Sequence, residues 1–385
     1  MQKAAAFRFI DEHQEEMVAL WRELVNMESG SSDKAGVDAV AERLQRELNS
    51  CGAEANVVAF EQAGNMLIGK VGAETEKPPV LFMGHFDTVF KKGTIEQRPF
   101  TIQDGKAYGP GVLDMKGGIV AFLYAIKALR AAGYDTRQIK VLLAGDEEVG
   151  HLHSQAAELF MQEAQGAAAA FNCETGFVDD GIVIGRKGTA QFTVEVKGVS
   201  AHAGNDPENG RNAILEMSHK VIAIQALTDF DAGTTYNVGV IQGGSVPNAV
   251  PDYAKVVIDV RYKNPEDLPG IQAQLEAIAA ETHVAGTSAT VTLNNGFKPM
   301  KTTDGVRALF QLVKQVYAEN GFGTPYEKYV GGGSDSAYSV LAGVPTVCAM
   351  GVKGGRNHSP EEYAVVDTLF ERAKLLSACV LKLDE

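Results

Sequence analysis

Five segments of this chain carry side chains able to bind a metal ion, and each lies beside an apolar run or in a turn. His85-Phe86-Asp87 follows the apolar run 79–84, and Asp146-Glu147-Glu148 follows the run 138–145. Cys173-Glu174 follows the short, Ala-rich run 167–172, and Asn357-His358-Ser359 follows the run 344–350 through a Gly-rich loop. Asp114 ends the turn-rich stretch Gly109-Pro110-Gly111-Val112-Leu113-Asp114. The candidate ligands are therefore His85, Asp114, Glu148, Glu174 and His358, two imidazoles and three carboxylates. Imidazole with carboxylate suits zinc better than magnesium, which prefers oxygen shells, or copper(I), which prefers sulfur; cobalt or manganese could substitute. Five ligands serve two metals when one carboxylate bridges, and such pairs sit roughly 3.5–4 Å apart around a shared activated water.

Taken singly, each residue has a plainer reading. A histidine after a strand is more often core or surface, an Asp-Glu-Glu is usually a solvated turn, and His358-Ser359-Pro360 could cap a helix. Their joint occurrence at the ends of apolar runs shifts the odds. His151 and His153 lie close to Glu148, but they enter the next helical stretch and are expected to be exposed. His13 reads as a surface residue, and His219 and His283 have no motif context.

These side chains need a frame. The runs 79–84, 138–145, 167–172 and 344–350 read as buried strands, and 117–131, 153–162, 306–319 and 367–383 read as helices. Helical periodicity also marks 11–27 and 35–48. Alternating strand and helix predicts an α/β fold with a largely parallel sheet, whose carboxyl edge is where ligands bind. The pattern changes near Arg186. Strand-like 189–196, helical 210–227, strand-like 234–241 and 254–262, helical 265–280 and strand-like 289–293 follow in the order β-α-β-β-α-β. That order is ferredoxin-like. It predicts an inserted domain over 187–297 in a discontinuous catalytic domain over 1–186 and 298–385.

Bulk properties narrow the partners. The chain has 385 residues, 45% of them hydrophobic, enough for more than one core. A formal net charge of −14 argues against nucleic acid and anionic membrane surfaces. No apolar run reaches spanning length and the N-terminus lacks the pattern of a secretory signal. The four cysteines are scattered without a Cys-x-x-Cys pair. That spacing predicts free thiols in a reducing cytoplasm.

The motifs resemble those of the co-catalytic zinc carboxypeptidases and aminoacylases, a family that includes glutamate carboxypeptidase, succinyl-diaminopimelate desuccinylase and dipeptidases. The matching segments are Met83-Gly-His-Phe-Asp-Thr-Val89, Gly109-Pro-Gly-Val-Leu-Asp-Met-Lys-Gly117, Asp146-Glu-Glu148, Ser200-Ala-His-Ala-Gly204, Gly331-Gly-Gly-Ser-Asp335 and Asn357-His-Ser359. They span nearly the whole chain in family order. The resemblance implies two zinc ions per subunit, with His85 and Glu174 on one, Glu148 and His358 on the other, and Asp114 bridging. It implies that Asp87 orients His85 and that Glu147 is the general base. It further implies that the inserted domain is a lid through which the chain dimerises. His202 would then stabilise the oxyanion in a partner's site, and Asn248, Arg261, Gly332 and Gly333 would contact substrate. The chain departs from glutamate-selective members after Glu174, where Val178-Asp-Asp-Gly181 stands in place of a lysine-bearing loop.

The reading reached is a dizinc hydrolase acting on a small peptide or N-acyl amino acid beside a free carboxylate. A dizinc dipeptidase or aminopeptidase is the alternative; it needs an acid for the substrate ammonium, and Asp179 or Asp180 could serve. A non-catalytic metal-containing binding protein is a third reading, which the presence of Glu147 argues against.

Overall fold

The apolar runs that precede the ligand segments become strands of one sheet. A computed structural model describes residues 1–385 and divides them into two compact units. One unit comprises Met1–Gly185, Met300–Tyr329 and Ser334–Glu385; the other comprises Arg186–Pro299 and Val330–Gly333. The segment Val330–Gly333, expected with the catalytic part, packs instead with the inserted unit: the Lys187 N–H donates to the Val330 carbonyl at 3.0 Å.

Across the main sheet of the first unit the strands are Ala53–Val58, Gly64–Val71, Ile139–Gly145, Val80–His85, Ala169–Asn172 and Thr346–Val347. The last four run parallel, with Met83 opposite both Leu142 and Asn172. Val80–His85 is buried at every position, as a strand covered on both faces must be. The two outer strands Ala53–Val58 and Gly64–Val71 are antiparallel additions. Helix Gly117–Ala131 is buried almost all round, and helices Gln2–Glu12 and Asp367–Lys382 pack against it. The periodic stretch 11–27 takes in the end of helix Gln2–Glu12 and all of helix Gln14–Val25, which meet at His13. A further sheet runs Thr101–Gln103, Lys106–Tyr108, Tyr363–Val365, Lys353–Gly355, Gly176–Phe177.

The second unit is a four-stranded antiparallel sheet in the order Thr235–Gly243, Tyr253–Tyr262, Gly188–Lys197, Ser288–Asn295. Numbered along the chain this is 2-3-1-4, the ferredoxin-like arrangement. Burial alternates strictly along Tyr253–Tyr262. Val256, Ile258 and Val260 join Phe192, Val194 and Ile271 in the core, so Asp259 and Arg261 point to the other face. No helix of the chain is long and apolar enough to cross a membrane.

Candidate metal centre and active site

Three parallel strands deliver candidate ligands at one edge. His85 is the last residue of Val80–His85. Ile139–Gly145 runs into Asp146 and a single 3₁₀ turn, Glu147–Val149. Ala169–Asn172 ends two residues before Glu174. His358 arrives differently from the expected route through 344–350. It sits in the turn between the antiparallel strands Lys353–Gly355 and Tyr363–Val365, with φ of 62°. Asp114 lies in the tight turn Val112–Lys116 that opens helix Gly117–Ala131.

The five side chains form two groups that share Asp114. Donor atoms of His85, Asp114 and Glu174 lie within 4.8 Å of one another, as do those of Asp114, Glu148 and His358. Asp114 Oδ1 is 3.3 Å from His85 Nε2, and Asp114 Oδ2 is 3.1 Å from His358 Nε2. Glu174 Oε1 is 3.7 Å from His85 Nε2, and Glu148 Oε2 is 3.2 Å from His358 Nε2. Glu147 Oε2 stands 4.0 Å from His85 Nε2 without joining either group. Carboxylates gathered in a buried site repel one another and need cations to offset them.

The electrostatics of the metal-free site state the same demand. Burial lowers the pKa of His85, but Glu147, Asp114, Asp87 and Glu174 outweigh it and hold the imidazole well above its usual range. Asp114 and Glu148 push His358 up to about 11. Burial and the Asp114 charge raise Glu148 to about 7. Burial also raises Glu147 well above the usual carboxylate range, with Glu174, Asp335 and Glu148 adding to it and His85 opposing. Metal ions bound there would compete with protons for the same donor atoms. The donor set and its charge therefore fit a pair of imidazole- and carboxylate-binding metal ions.

Asp87 organises the neighbourhood. Its Oδ1 is 3.3 Å from His85 Nδ1 and accepts the Glu147 N–H at 3.1 Å. Its Oδ2 accepts the Glu148 N–H at 3.1 Å and the Ser31 hydroxyl at 2.7 Å. One buried carboxylate thus orients an imidazole and pins the backbone of the Glu147-Glu148 pair. Asn357 donates to Asp114 Oδ2 at 3.1 Å. Sequence reasoning passed over Glu362, four residues after His358. Its buried carboxylate accepts the N–H groups of Gly111, Leu113 and Asp114 at 3.2, 2.8 and 3.0 Å, holding the turn that carries Asp114. Its acidic type and place beside His358 were the only signals available.

His151 corrects an expectation. Rather than entering a helix exposed, it is buried, and the helix begins later, at Ala156–Ala164; His153 is exposed. Asp179 and Asp180 are already engaged, Asp179 by Lys328 and Tyr326, and Asp180 by Lys353.

The remaining expected residues lie in the second unit. His202 and Asn248 are neighbours on a short ribbon: His202 pairs with Ala249, and the Ala203 N–H donates to the Asn248 carbonyl at 3.0 Å. His202 Nδ1 accepts the N–H groups of Gly204 and Asn205, each at 3.1 Å. A neutral ring then carries its proton on Nε2, leaving an exposed donor. Arg261 Nε pairs with Asp259 at 2.8 Å, and its guanidinium donates to the Gly331 carbonyl at 2.9 Å. Arg186, which sequence reasoning missed, donates to the Gly332 and Gly333 carbonyls, both at 3.2 Å.

A parallel sheet whose carboxyl edge holds two such groups around one shared aspartate belongs to a metal-dependent peptidase or amidohydrolase. The chain is a member of peptidase family M20/M25/M40, whose profile matches residues 81–382. It is 30% identical over 382 residues to carboxypeptidase G2 of Pseudomonas sp. (strain RS-16), covering 98% of this chain and 91% of that one. It is 26% identical over 369 residues to succinyl-diaminopimelate desuccinylase of Sulfurovum sp. (strain NBC37-1), covering 91% and 94%. In fold it is similar to the crystal structure of aminopeptidase PepT from Bacillus cereus ATCC 10987, with a TM-score of 0.78, 24% identity, and 97% and 99% of the two chains covered.

Proposed function

We propose that this chain hydrolyses the amide bond beside an amino acid with a free carboxylate, as a carboxypeptidase or N-acyl-amino-acid amidohydrolase with two zinc ions per subunit. The observation that carries the reading is the placement of Asp114, with one carboxylate oxygen toward each histidine. His85 and Glu174 would hold one ion, Glu148 and His358 the other, and Asp114 both. Bound there, the ions supply Lewis acidity, which acidifies a water and polarises the amide carbonyl.

The chain's own residues do the rest. Glu147 lies beside both groups but in neither, so its carboxylate is left to take the proton of the attacking water. It hands that proton to the leaving nitrogen as the C–N bond breaks, which yields a carboxylic acid and an amine. Asp87 keeps Glu147 and His85 in register. His202, contributed to a partner's site, donates from Nε2 to the developing oxyanion. The Arg261 fork receives the substrate carboxylate after exchanging its bond to Gly331 for it, with Gly332 and Gly333 beside it, and Asn248 contacts substrate from the ribbon it shares with His202. Asp179 and Asp180, the acids that an ammonium-gripping peptidase would use, are each in a salt bridge with a lysine, which favours this reading over that one.

Dimerisation through the second unit is supported by its uncovered apolar surface. Strand Thr235–Gly243 is a sheet edge, and Val240 and Ile241 on it are exposed, as is Ile222 on helix Ala213–Gln225. Four free thiols suit a reducing cytoplasm, where we place the enzyme.

The deciding experiment is a hydrolysis panel with zinc-loaded enzyme. It pairs N-acyl amino acids, folate-like glutamyl amides and dipeptides with the same compounds amidated at the carboxyl end. Cleavage confined to the free acids is expected; equal cleavage of both series would overturn the reading.

A further inference from the structure

His151 stands in the turn that follows the Glu147-Glu148 pair, fully within the first unit. Its Nδ1 is 2.8 Å from Asp146 Oδ1 and its Nε2 is 2.7 Å from Asp335 Oδ1. All three side chains are buried, and the ring packs against Phe160 and Tyr338 at centroid distances of 6.2 and 5.8 Å. A ring facing a carboxylate oxygen on each side donates from both nitrogens and is an imidazolium. Burial works against that charge, but Asp335 and Asp146 outweigh it and hold the imidazole well above its usual range. The second oxygen of each aspartate finds no protein hydrogen-bond partner, so each side chain's hydrogen bond is the one to the ring.

The connections run to the reaction centre. Asp146 immediately precedes Glu147 and Glu148. Asp335 follows Ser334, whose hydroxyl accepts from Asn172 Nδ2 at 2.8 Å, two residues before Glu174. The backbone of His151 is left-handed, with φ of 56°, and Gly150 before it has φ of 68°. That conformation costs a non-glycine residue some free energy, which the contacts around His151 offset. On the near side, Asp87 grips the Glu147 and Glu148 N–H groups. On the far side, backbone bonds from Gly150 to Glu147 and from His151 to Asp146 close the turn, and the imidazolium anchors it to Asp335.

We infer that His151 is a positioning residue for the reaction: clamped between Asp146 and Asp335, it fixes the turn that presents Glu147 and Glu148. The inference rests on Glu147 being the base. It predicts that loss of the clamp disturbs the chemical step more than substrate binding, because Glu147 must meet the attacking water within a fraction of an ångström.

The test compares His151→Gln, Asp335→Asn, the double variant and Glu147→Gln, all zinc-loaded and assayed on the fastest substrate of the panel, with rates expressed per folded molecule from circular dichroism. His151→Gln is expected to lower kcat about ten- to a hundredfold with KM within about threefold. Adding Asp335→Asn should then cost little more, since the bridge is already broken. If His151→Gln does not fold, the neutral Gln–Asn pair of the double variant carries the reading, with a lowered kcat expected. A kcat per folded molecule within about twofold of the native chain overturns the inference, as does multiplication of the two single effects. Nitrogen-15 NMR of the imidazole is an independent readout: both ring nitrogens of His151 should show attached protons at pH 8, and a neutral ring would remove the clamp. Glu147→Gln separates the failures. If it turns over normally, the assignment of the base is wrong; if it is inactive while the His151 variants are native-like, only the positioning role falls.

Discussion

At the scale of single residues, Glu147 and Glu148 show how position divides identical chemistry. They are adjacent, and one aspartate grips both backbones, yet only Glu148 reaches a ligand group. Glu147→Gln should keep the metals, measured by inductively coupled plasma mass spectrometry, while kcat falls on the order of 10³-fold. Near-native turnover would remove Glu147 from its role. The histidines make a second prediction. Asp114 and Glu148 favour the protonated His358 ring and push it up to about 11, above its ordinary value. The stabilisation this gives the metal-free fold is complete below the ordinary imidazole pKa, near 6.5, and is lost as pH rises through about 11. A metal must displace that proton, so affinity should rise with pH across the neutral range. Calorimetric titration of the metal-free chain at pH 7 should give an enthalpy that varies with the ionisation enthalpy of the buffer. A constant enthalpy would contradict the protonated site.

Among elements, helix Gly117–Ala131 matters most to the site because it touches two ligand segments. It begins directly after the Asp114 turn, and at Gly118 it approaches the strand end that carries Glu174. A Cβ on Gly118 would sit 1.9 Å from the Cys173 carbonyl oxygen, a backbone atom that cannot swing away. Gly118→Ala should therefore destabilise the chain by about 1–3 kcal/mol in denaturant unfolding and weaken metal binding, as helix and strand end part. Unchanged metal affinity would show that Glu174 tolerates the shift. This helix was legible in the sequence because its apolar content leaves no polar face to misread. The antiparallel strands Ala53–Val58 and Gly64–Val71 were not, and neither was the small sheet that carries His358. Strands of two or three residues, such as Gly176–Phe177 and Lys353–Gly355, are too short for periodicity to register.

For the whole molecule, the second unit bears the prediction. Its 2-3-1-4 sheet leaves Thr235–Gly243 as an open edge with Ile241 exposed upon it. A charge there should disfavour pairing with a second copy. On the proposed pairing through this edge, Ile241→Glu is expected to shift the chain from dimer to monomer in light scattering and to reduce turnover by about tenfold or more, because a partner's His202 would be lost. A fully active monomer would take His202 out of the site. The ferredoxin-like order could be read in advance because strand–helix alternation is a local pattern. Assignment of Val330–Gly333 could not, because two carbonyls accepting from Arg186 and one from Arg261 tie it to residues far away in the chain.

The sequence by itself marked the candidate metal ligands, because His85, Glu148 and Glu174 each stand just past an apolar run that a parallel sheet ends at its carboxyl edge. Only the tertiary structure decided that each oxygen of Asp114 faces a different histidine, that Glu362 holds the Asp114 turn, and that His151 is a buried cation between two aspartates. Those facts depend on strand order and on loops meeting across as many as 251 residues of chain. Neither residue type nor local spacing encodes such meetings; packing of the elements does.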